Sequence, residues 1–490
     1  MRINSPHCIS TVLRIGGVLL FLFTCGTYFL PQNNEVPLAL KTPSFQVANL
    51  TEASSTFNAS VVDFWQDLAS ALLETQPQCK PLKVMDESVH YPEDHFDPLE
   101  PYRKHPHRLV GFTDDDETAL LRAHFLMRKS AFHLAPKLSF AKGTTGIVTT
   151  ADTHYMPMFL VSLRMLRRTG CNLPVEVFID DWSKYDTTTC DIVLPSLNAR
   201  CVVLSNIYNK NTKVKKPDHY QYKILSILFS TFQHVLFLDS DAFPSYDPSV
   251  LFTIPPYTTH GLVTWPDFFA LTINEHFYHI AAIPEEPASA RFSTESGQLL
   301  LNKDTHRESL LIMETFVQAA MAVGLPWYQV RTGPAALGRN WNGMFRGTAI
   351  AQADPGLDYE YGIPMRSHVH TGEWWTSGDS AHPDPKTEKS LNRTRTAPRR
   401  PRPVFIHQNM LNLNPEKVLA DKGEITYEPD GTMHRMWGSK EDMEKLLGYD
   451  VERRLWDVVA EEGCRLDQGS ETCAKIRAYV SEVFGWMGEY

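Results

Sequence analysis

Two aspartates separated by one residue, Asp239-Ser240-Asp241, follow a run of four apolar residues, Val235 to Leu238. In an extended chain, side chains at i and i+2 point to the same side, so these carboxylates can share one ion. A hard divalent cation such as Mn2+ or Mg2+ takes carboxylate oxygens together with phosphate oxygens, and it neutralises charge as a diphosphate departs. Asp-x-Asp alone also occurs in turns and helix caps. Here an apolar strand runs straight into the acids, and Phe243-Pro244 with Asp247-Pro248 turn the chain away directly afterwards, which favours the metal and phosphate reading.

The elements around the acids predict how they are held. Gly146-Ile-Val-Thr-Thr150 reads as a buried strand followed by a helix from Tyr155 to Arg168. Val175 to Ile179 and Cys201 to Leu204 read as further strands, and an amphipathic helix from Tyr220 to Phe232 leads into Val235 to Leu238. Strands alternating with helices predict an α/β fold with a mostly parallel sheet. Ligands of such sheets bind beyond the carboxyl ends of the strands, where Asp239 and Asp241 fall. Phe64 to Leu73 and Glu117 to Leu134 have helical spacing and predict a helical subregion over 61–140, ahead of a catalytic domain over 141–415. Leu357 to Pro403 is a long segment rich in Gly, Ser, Pro and charge, and helical periodicity returns over Ser439 to Met487, within a C-terminal helical region at 416–490.

The chain has 490 residues and is 43% hydrophobic, enough for one large core or two modest ones. Its formal charge of −10, with 47 Lys and Arg against 57 Asp and Glu, argues against a nucleic-acid surface. The basic stretch Arg393 to Arg402 reads as a solvated loop. Ile9 to Leu30 is apolar apart from Arg14 and a few small polar residues, and Arg2 and Arg14 lie on its N-terminal side. A membrane anchor over 9–30 is expected, with a cytoplasmic tail at 1–8, a stem at 31–60 and a lumenal body. The competing reading is a cleaved signal peptide, for which Pro31-Gln32-Asn33 is a poor cleavage context.

Of eight cysteines, Cys8 and Cys25 sit in or near the anchor. Cys79, Cys171, Cys190, Cys201, Cys464 and Cys473 would be lumenal, can pair fully, and show no metal-ligand spacing. Asn49, Asn58 and Asn392 begin N-glycosylation sequons.

Val235-Leu-Phe-Leu-Asp-Ser-Asp-Ala-Phe-Pro-Ser-Tyr-Asp-Pro-Ser-Val-Leu-Phe252 resembles the signature of the fungal Golgi α-mannosyltransferases of glycosyltransferase family 71, which branch the mannan outer chain. Further blocks resemble that family in order. They are Gly146 to Thr150 with Leu163-Arg-Met-Leu-Arg167, Leu173-Pro-Val-Glu-Val177, Trp265-Pro-Asp-Phe268, Glu295-Ser-Gly-Gln298, Asn342-Gly343 with Gly347-Thr-Ala349, and Phe405-Ile-His-Gln-Asn409. The resemblance spans roughly Gly143 to Pro415. It implies a Rossmann-like fold of the GT-A type, GDP-mannose as donor, Mn2+ as ion, retention of the α-configuration and a Golgi membrane location. The Trp-Pro-Asp-Phe and Glu-Ser-Gly-Gln blocks look most like the α-1,2-mannosyltransferases that start mannan side branches.

On that resemblance Asp239 and Asp241 hold the metal and diphosphate, and His407 completes the metal shell, a role that suits neutral imidazole; a core histidine is the plain alternative. Thr149 and Thr150 are candidates to bond the nucleotide. Lys223 is a candidate for phosphate, or else a solvated charge on its helix. Trp265 and Asp267 pair an aromatic face with a carboxylate, a combination that holds sugars, against a buried Trp with a turn Asp. Glu295 and Gln298 flank a glycine that permits close approach, with Gln298 a candidate for contact with mannose or acceptor, and Glu295, with Asp267, a candidate catalytic carboxylate. Double displacement and front-face attack are both compatible with these residues.

The sequence also departs from the family pattern. A further segment there separates the helix after Glu-Ser-Gly-Gln from a Gly-Leu-Pro stretch. Here Leu310 to Phe316 runs almost directly into Gly324-Leu-Pro326. Either a mispredicted exon or a truly shortened protein gives this pattern, and it bears on acceptor binding and activity. Two other readings follow: a catalytically silent lumenal paralogue that binds glycan or stabilises a complex with other Golgi mannosyltransferases, and a transferase using another nucleotide-sugar.

Overall fold

The computed structural model describes residues 55–361 and 401–485, apart from 85–94, 98–99, 101, 106–107, 313–315, 342, 410–411, 420–424 and 429. The expected anchor, the sequons at Asn49 and Asn392 and most of the segment between Leu357 and Pro403 lie outside the described residues. Among the described residues no helix is long and apolar enough to cross a membrane.

Eleven strands follow in the described chain: β1 (Ala141–Thr150), β2 (Val175–Ile179), β3 (Ala199–Val203), β4 (Phe232–Leu238), β5 (Ala242–Pro244), β6 (Leu262–Ala270), β7 (Phe292–Asn302), β8 (Tyr328–Gln329), β9 (Ala335–Trp341), β10 (Met344–Ala353) and β11 (Pro403–His407). Seven form one sheet in the order β3-β2-β1-β4-β7-β6-β8. Strands β1 to β4 pair in parallel, while β7 runs antiparallel to both β4 and β6. The fold is α/β with a mixed sheet whose first half is parallel.

Local sequence explains the central pairing. Gly146 of β1 lies over the Phe232 ring, and a β-carbon there would sit 2.3 Å from it, so no larger residue lets β1 and β4 approach. The amphipathic segment at Tyr220 to Phe232 does not stay helical throughout, because the helix ends at Phe229. Ser230 becomes extended, and the Thr231 N–H and hydroxyl donate to buried Glu176 at 3.0 and 2.7 Å. That bond lets the chain enter β4 at Phe232, where backbone pairing replaces helical bonding.

Among the described residues, seven helices of eight or more residues frame the sheets: α1 (Ser55–Glu74), α2 (Asp114–Leu134), α3 (Met156–Arg168), α4 (Gln221–Phe229), α5 (Lys440–Leu447), α6 (Val451–Cys464) and α7 (Glu471–Phe484). The expected stem overlaps α1, which begins at Ser55 and carries Asn58 exposed. A capping box between Thr113 and Asp116 starts α2, and four acids in its first turn complement the helix dipole.

The second sheet, β5-β11-β10-β9, is antiparallel. Its apolar face and α3 share a core with the C-terminal helices, through Met158, Val161, Phe243, Ile406, Trp456 and Tyr479. The C-terminal region is thus built into the layer that carries His407. Disulfides join Cys190 to Cys201 and Cys464 to Cys473. Full pairing of six cysteines does not occur: Cys79 and buried Cys171 are free, and burial pushes the Cys171 thiol up to about 12.

Candidate active site

Strand β4 delivers Asp239 to the carboxyl edge of the sheet, and β5 starts directly after Asp241. The register of β11 on β5 sets His407 opposite Ala242. The Gln408 N–H donates to the Asp241 carbonyl at 3.0 Å, which locks the two chain segments together. His407 Nε2 consequently lies 3.2 Å from Asp241 Oδ1.

On its other side, His407 Nδ1 lies 3.0 Å from Glu295 Oε1. Glu295 comes from β7, whose next residues pass under the site: the Asp239 N–H donates to the Gly297 carbonyl at 2.8 Å. The Gly297 N–H donates to Glu295 Oε1 at 2.6 Å, and Gln298 Nε2 donates to Oε2. Glu295 is only 6% exposed. Its carboxylate is fully engaged in holding the imidazole and the turn around Gly297.

Charge follows from this geometry. Burial alone would push the His407 imidazolium down, but hydrogen bonds to Asp241 and Glu295, with their charges, outweigh it and raise the group to about 10. Burial pushes the Asp239 carboxyl up, against the opposing pull of Lys223 and His407. Lys223 Nζ lies 3.0 Å from Asp239 Oδ1 and also donates to the Ser296 carbonyl and hydroxyl at 2.7 and 3.2 Å.

The donor set fits a divalent ion in part. Raised to about 10, the imidazolium donates from both nitrogens; an ion between Asp241 and Nε2 would take the place of the Nε2 proton and leave Nδ1–H on Glu295, the arrangement by which an outer carboxylate orients a metal-binding histidine. Asp241 and His407 converge, whereas Asp239 is turned to Lys223. Among the described residues no group of three such side chains stands ready as a metal cage.

Other candidates sit differently from the sequence expectation. Trp265 is fully buried; its Nε1 donates to the Ala353 carbonyl at 2.8 Å and its ring meets Phe405 edge-on at 5.2 Å, so it offers no face to a sugar. Thr149 is 1% exposed, and its enclosed hydroxyl cannot reach a nucleotide. Thr150, half-buried, ends β1 at the edge. Gln298 is fully buried and donates to Glu295. Asp267 is half-buried and accepts from the Phe268 N–H at 2.7 Å. Glu295 faces His407, not an open reacting face, which makes it a positioning residue in place of a catalytic one. Lys223 has its three protons directed at Asp239 and Ser296, so phosphate would have to displace one of those contacts.

Sequence reasoning missed Ser296 and Asp180. Asp180 follows β2 at the same edge and accepts from the Tyr208 hydroxyl and from Lys216 Nζ, each at 2.7 Å. The strand-end rule that picked out Asp239 applies equally to Asp180, directly after Val175 to Ile179.

Residues 144–293 match a family model described as a mannosyltransferase. Alpha-1,2-mannosyltransferase MNN21 of Candida albicans is 28% identical over 428 residues, covering 72% of this chain and 62% of that protein, so the match spans less than two thirds of its length. MNN22 of the same organism is 27% identical over 449 residues, with 72% and 74% covered. Alpha-1,2-mannosyltransferase MNN2 of Saccharomyces cerevisiae is 26% identical over 485 residues, with 83% and 80% covered. Among solved structures, the galactosyltransferase LgtC with donor and acceptor sugar analogs has a TM-score of 0.26 at 14% identity, covering 37% of this chain and 73% of that one. Glucosyl-3-phosphoglycerate synthase of Mycobacterium tuberculosis has a TM-score of 0.25 at 15% identity, covering 47% and 77%. Structural likeness at that level is too slight to bear on function. Over these spans the chain is similar to a mannosyltransferase family model and to fungal α-1,2-mannosyltransferases.

Proposed function

We propose that the protein transfers mannose from GDP-mannose to α-mannosides of glycoproteins or mannan, with α-1,2 linkage and retention, using Mn2+ bound at Asp241 and His407. The observation that carries the metal reading is the placement of His407 between two carboxylates, Glu295 behind it and Asp241 ahead. The names of the relatives support the reaction and linkage. A parallel half-sheet ending in paired acids supports a GT-A type donor site.

In this reading the ion supplies positive charge for the departing diphosphate. Glu295 holds the imidazole in its ligand tautomer. Lys223, itself held by Ser296, pairs with the Asp239 carboxylate, and the Gly297 carbonyl holds the Asp239 N–H. The apolar segment at 9–30 supports a single-pass type II protein of the Golgi membrane with its catalytic domain in the lumen, where complexes with other mannosyltransferases are accessible.

The test is GDP release from GDP-mannose by the detergent-solubilised full chain with an α-mannobiose acceptor. Activity is expected to vanish in chelator and return with Mn2+, and Asp241→Asn is expected to lower it by about 10²-fold or more. Full activity in chelator would sink the metal mechanism. Tight glycan binding with no GDP release from any nucleotide-sugar would favour the silent paralogue.

A further inference from the structure

A cleft of about 570 Å³ opens over the first turn of α3, between the turn after β1, the loop after β2 and the loop joining α6 to α7. That volume suits a small-molecule or saccharide unit. Asp239, Asp241, Glu295 and His407 do not line it. It nevertheless opens at the same carboxyl edge, since β1 and β4 are paired neighbours.

Its walls are held before any ligand arrives. The Cys190–Cys201 disulfide ties the end of the loop after β2 to β3, and Cys464–Cys473 closes the other loop. Asp186 accepts from the Thr189 N–H at 2.7 Å, and Asp467 from the Gly469 N–H at 2.8 Å. A ligand entering such a cleft has little loop ordering to drive, which favours binding.

The sign of the lining decides the ligand class. Of the lining residues, Arg465 matches Glu462, while Arg164, outside the lining, is shared between Glu461 and Glu462; this leaves Asp186, Glu416 and Asp467 against Lys184. A nucleoside diphosphate meets repulsion there, whereas a neutral sugar offers hydroxyls that donate to carboxylates and C–H faces that meet Met156 and Pro415.

We infer that this cleft is an acceptor subsite, holding neutral mannose units of the glycan away from the sugar that receives the transferred mannose. The inference rests on the mannosyltransferase reading of the acidic strand end. A chain of mannose units reaching from the cleft toward β4 would make longer acceptors bind better than short ones without altering the transfer step.

The experiment uses the detergent-solubilised full chain and an α-linked mannotetraose, with maltotetraose and GDP as comparison probes. Saturation-transfer NMR in chelator is expected to show mannotetraose bound without metal. Thr153→Trp, at an exposed position of the cleft wall, should weaken that binding at least about tenfold and raise KM for the tetraose. The KM for mannobiose, kcat and GDP release to water should stay at wild-type values. Glu416→Arg, also exposed, should raise the tetraose KM in the same selective way, which separates subsite loss from misfolding. Unchanged tetraose binding in both variants overturns the inference, and so does loss of GDP binding in place of saccharide binding. If the wild type releases no GDP from GDP-mannose yet binds mannotetraose in this cleft, the transferase reading fails while the saccharide site stands.

Discussion

A β-carbon on Gly297 would lie 2.5 Å from His407 Nδ1, so the imidazole reaches Glu295 and Asp241 only because position 297 has no side chain. Glu295 Oε1 would also be crowded, at 2.9 Å. Gly297→Ala should therefore displace the histidine without disturbing the core behind it. We expect Mn2+-dependent GDP release to fall about 10- to 100-fold, the range seen when outer-shell support of a ligand is lost. Unchanged activity and Mn2+ affinity in this variant would contradict the assigned site.

The sequence offers Glu295 as a candidate catalytic carboxylate, whereas its contact with His407 makes it a positioning residue. As a positioning residue it acts on metal affinity, so Glu295→Gln should weaken Mn2+ about 10- to 100-fold while saturating Mn2+ restores most of kcat. A carboxylate acting on the substrate would instead lose kcat at every Mn2+ concentration. A Mn2+ titration of initial rates in the variant decides between them.

The strand end was legible in the sequence because two signals coincided there, the apolar run Val235 to Leu238 and acids at i and i+2. His407 was legible through family resemblance only, since its place depends on the pairing of β11 with β5, a contact between distant parts of the chain. Trp265 was misread for the same reason: its burial is created by the second sheet, through Ala353 and Phe405, and no local pattern announces that layer. Thr149 could have been read correctly. In β1 it shares a face with Ile147, and that face is buried.

Lys303 gives a pH-dependent prediction away from the site. It is fully buried, donates to the Leu228 and Ser230 carbonyls at 2.8 and 2.9 Å, and burial pushes it down to about 7 despite nearby Glu176. Between about pH 7 and the ordinary lysine value of about 10.4, the unfolded chain binds a proton that the folded chain lacks, so stability rises with pH. The slope from this group approaches about 1.4 kcal/mol per pH unit. Lys303→Met should remove that slope. Urea midpoints of both proteins at pH 7 and pH 9 test it, and a difference between them that is the same at both pH values would refute the shift.

Lys223 holds Asp239 through an ion pair with 13% and 26% of the two side chains exposed, and it fixes Ser296 at the same time. Its stem also places the ammonium 4.9 Å from the Phe237 ring centre. Removing the charge in Lys223→Met leaves Asp239 beside Asp241 with one fewer neutralising partner, so the repulsion between the acids grows. Two outcomes distinguish a holder of Asp239 from a direct phosphate ligand. A holder predicts that kcat falls about tenfold or more while GDP affinity measured without metal changes little, because the lost contact lies within the protein. A direct ligand predicts that metal-free GDP affinity falls by a comparable factor. The Asp239→Asn/Lys223→Met double variant then completes the cycle: a holder acting only through Asp239 gives a double variant no worse than Asp239→Asn alone, whereas additive losses would assign Lys223 a contact of its own with the donor.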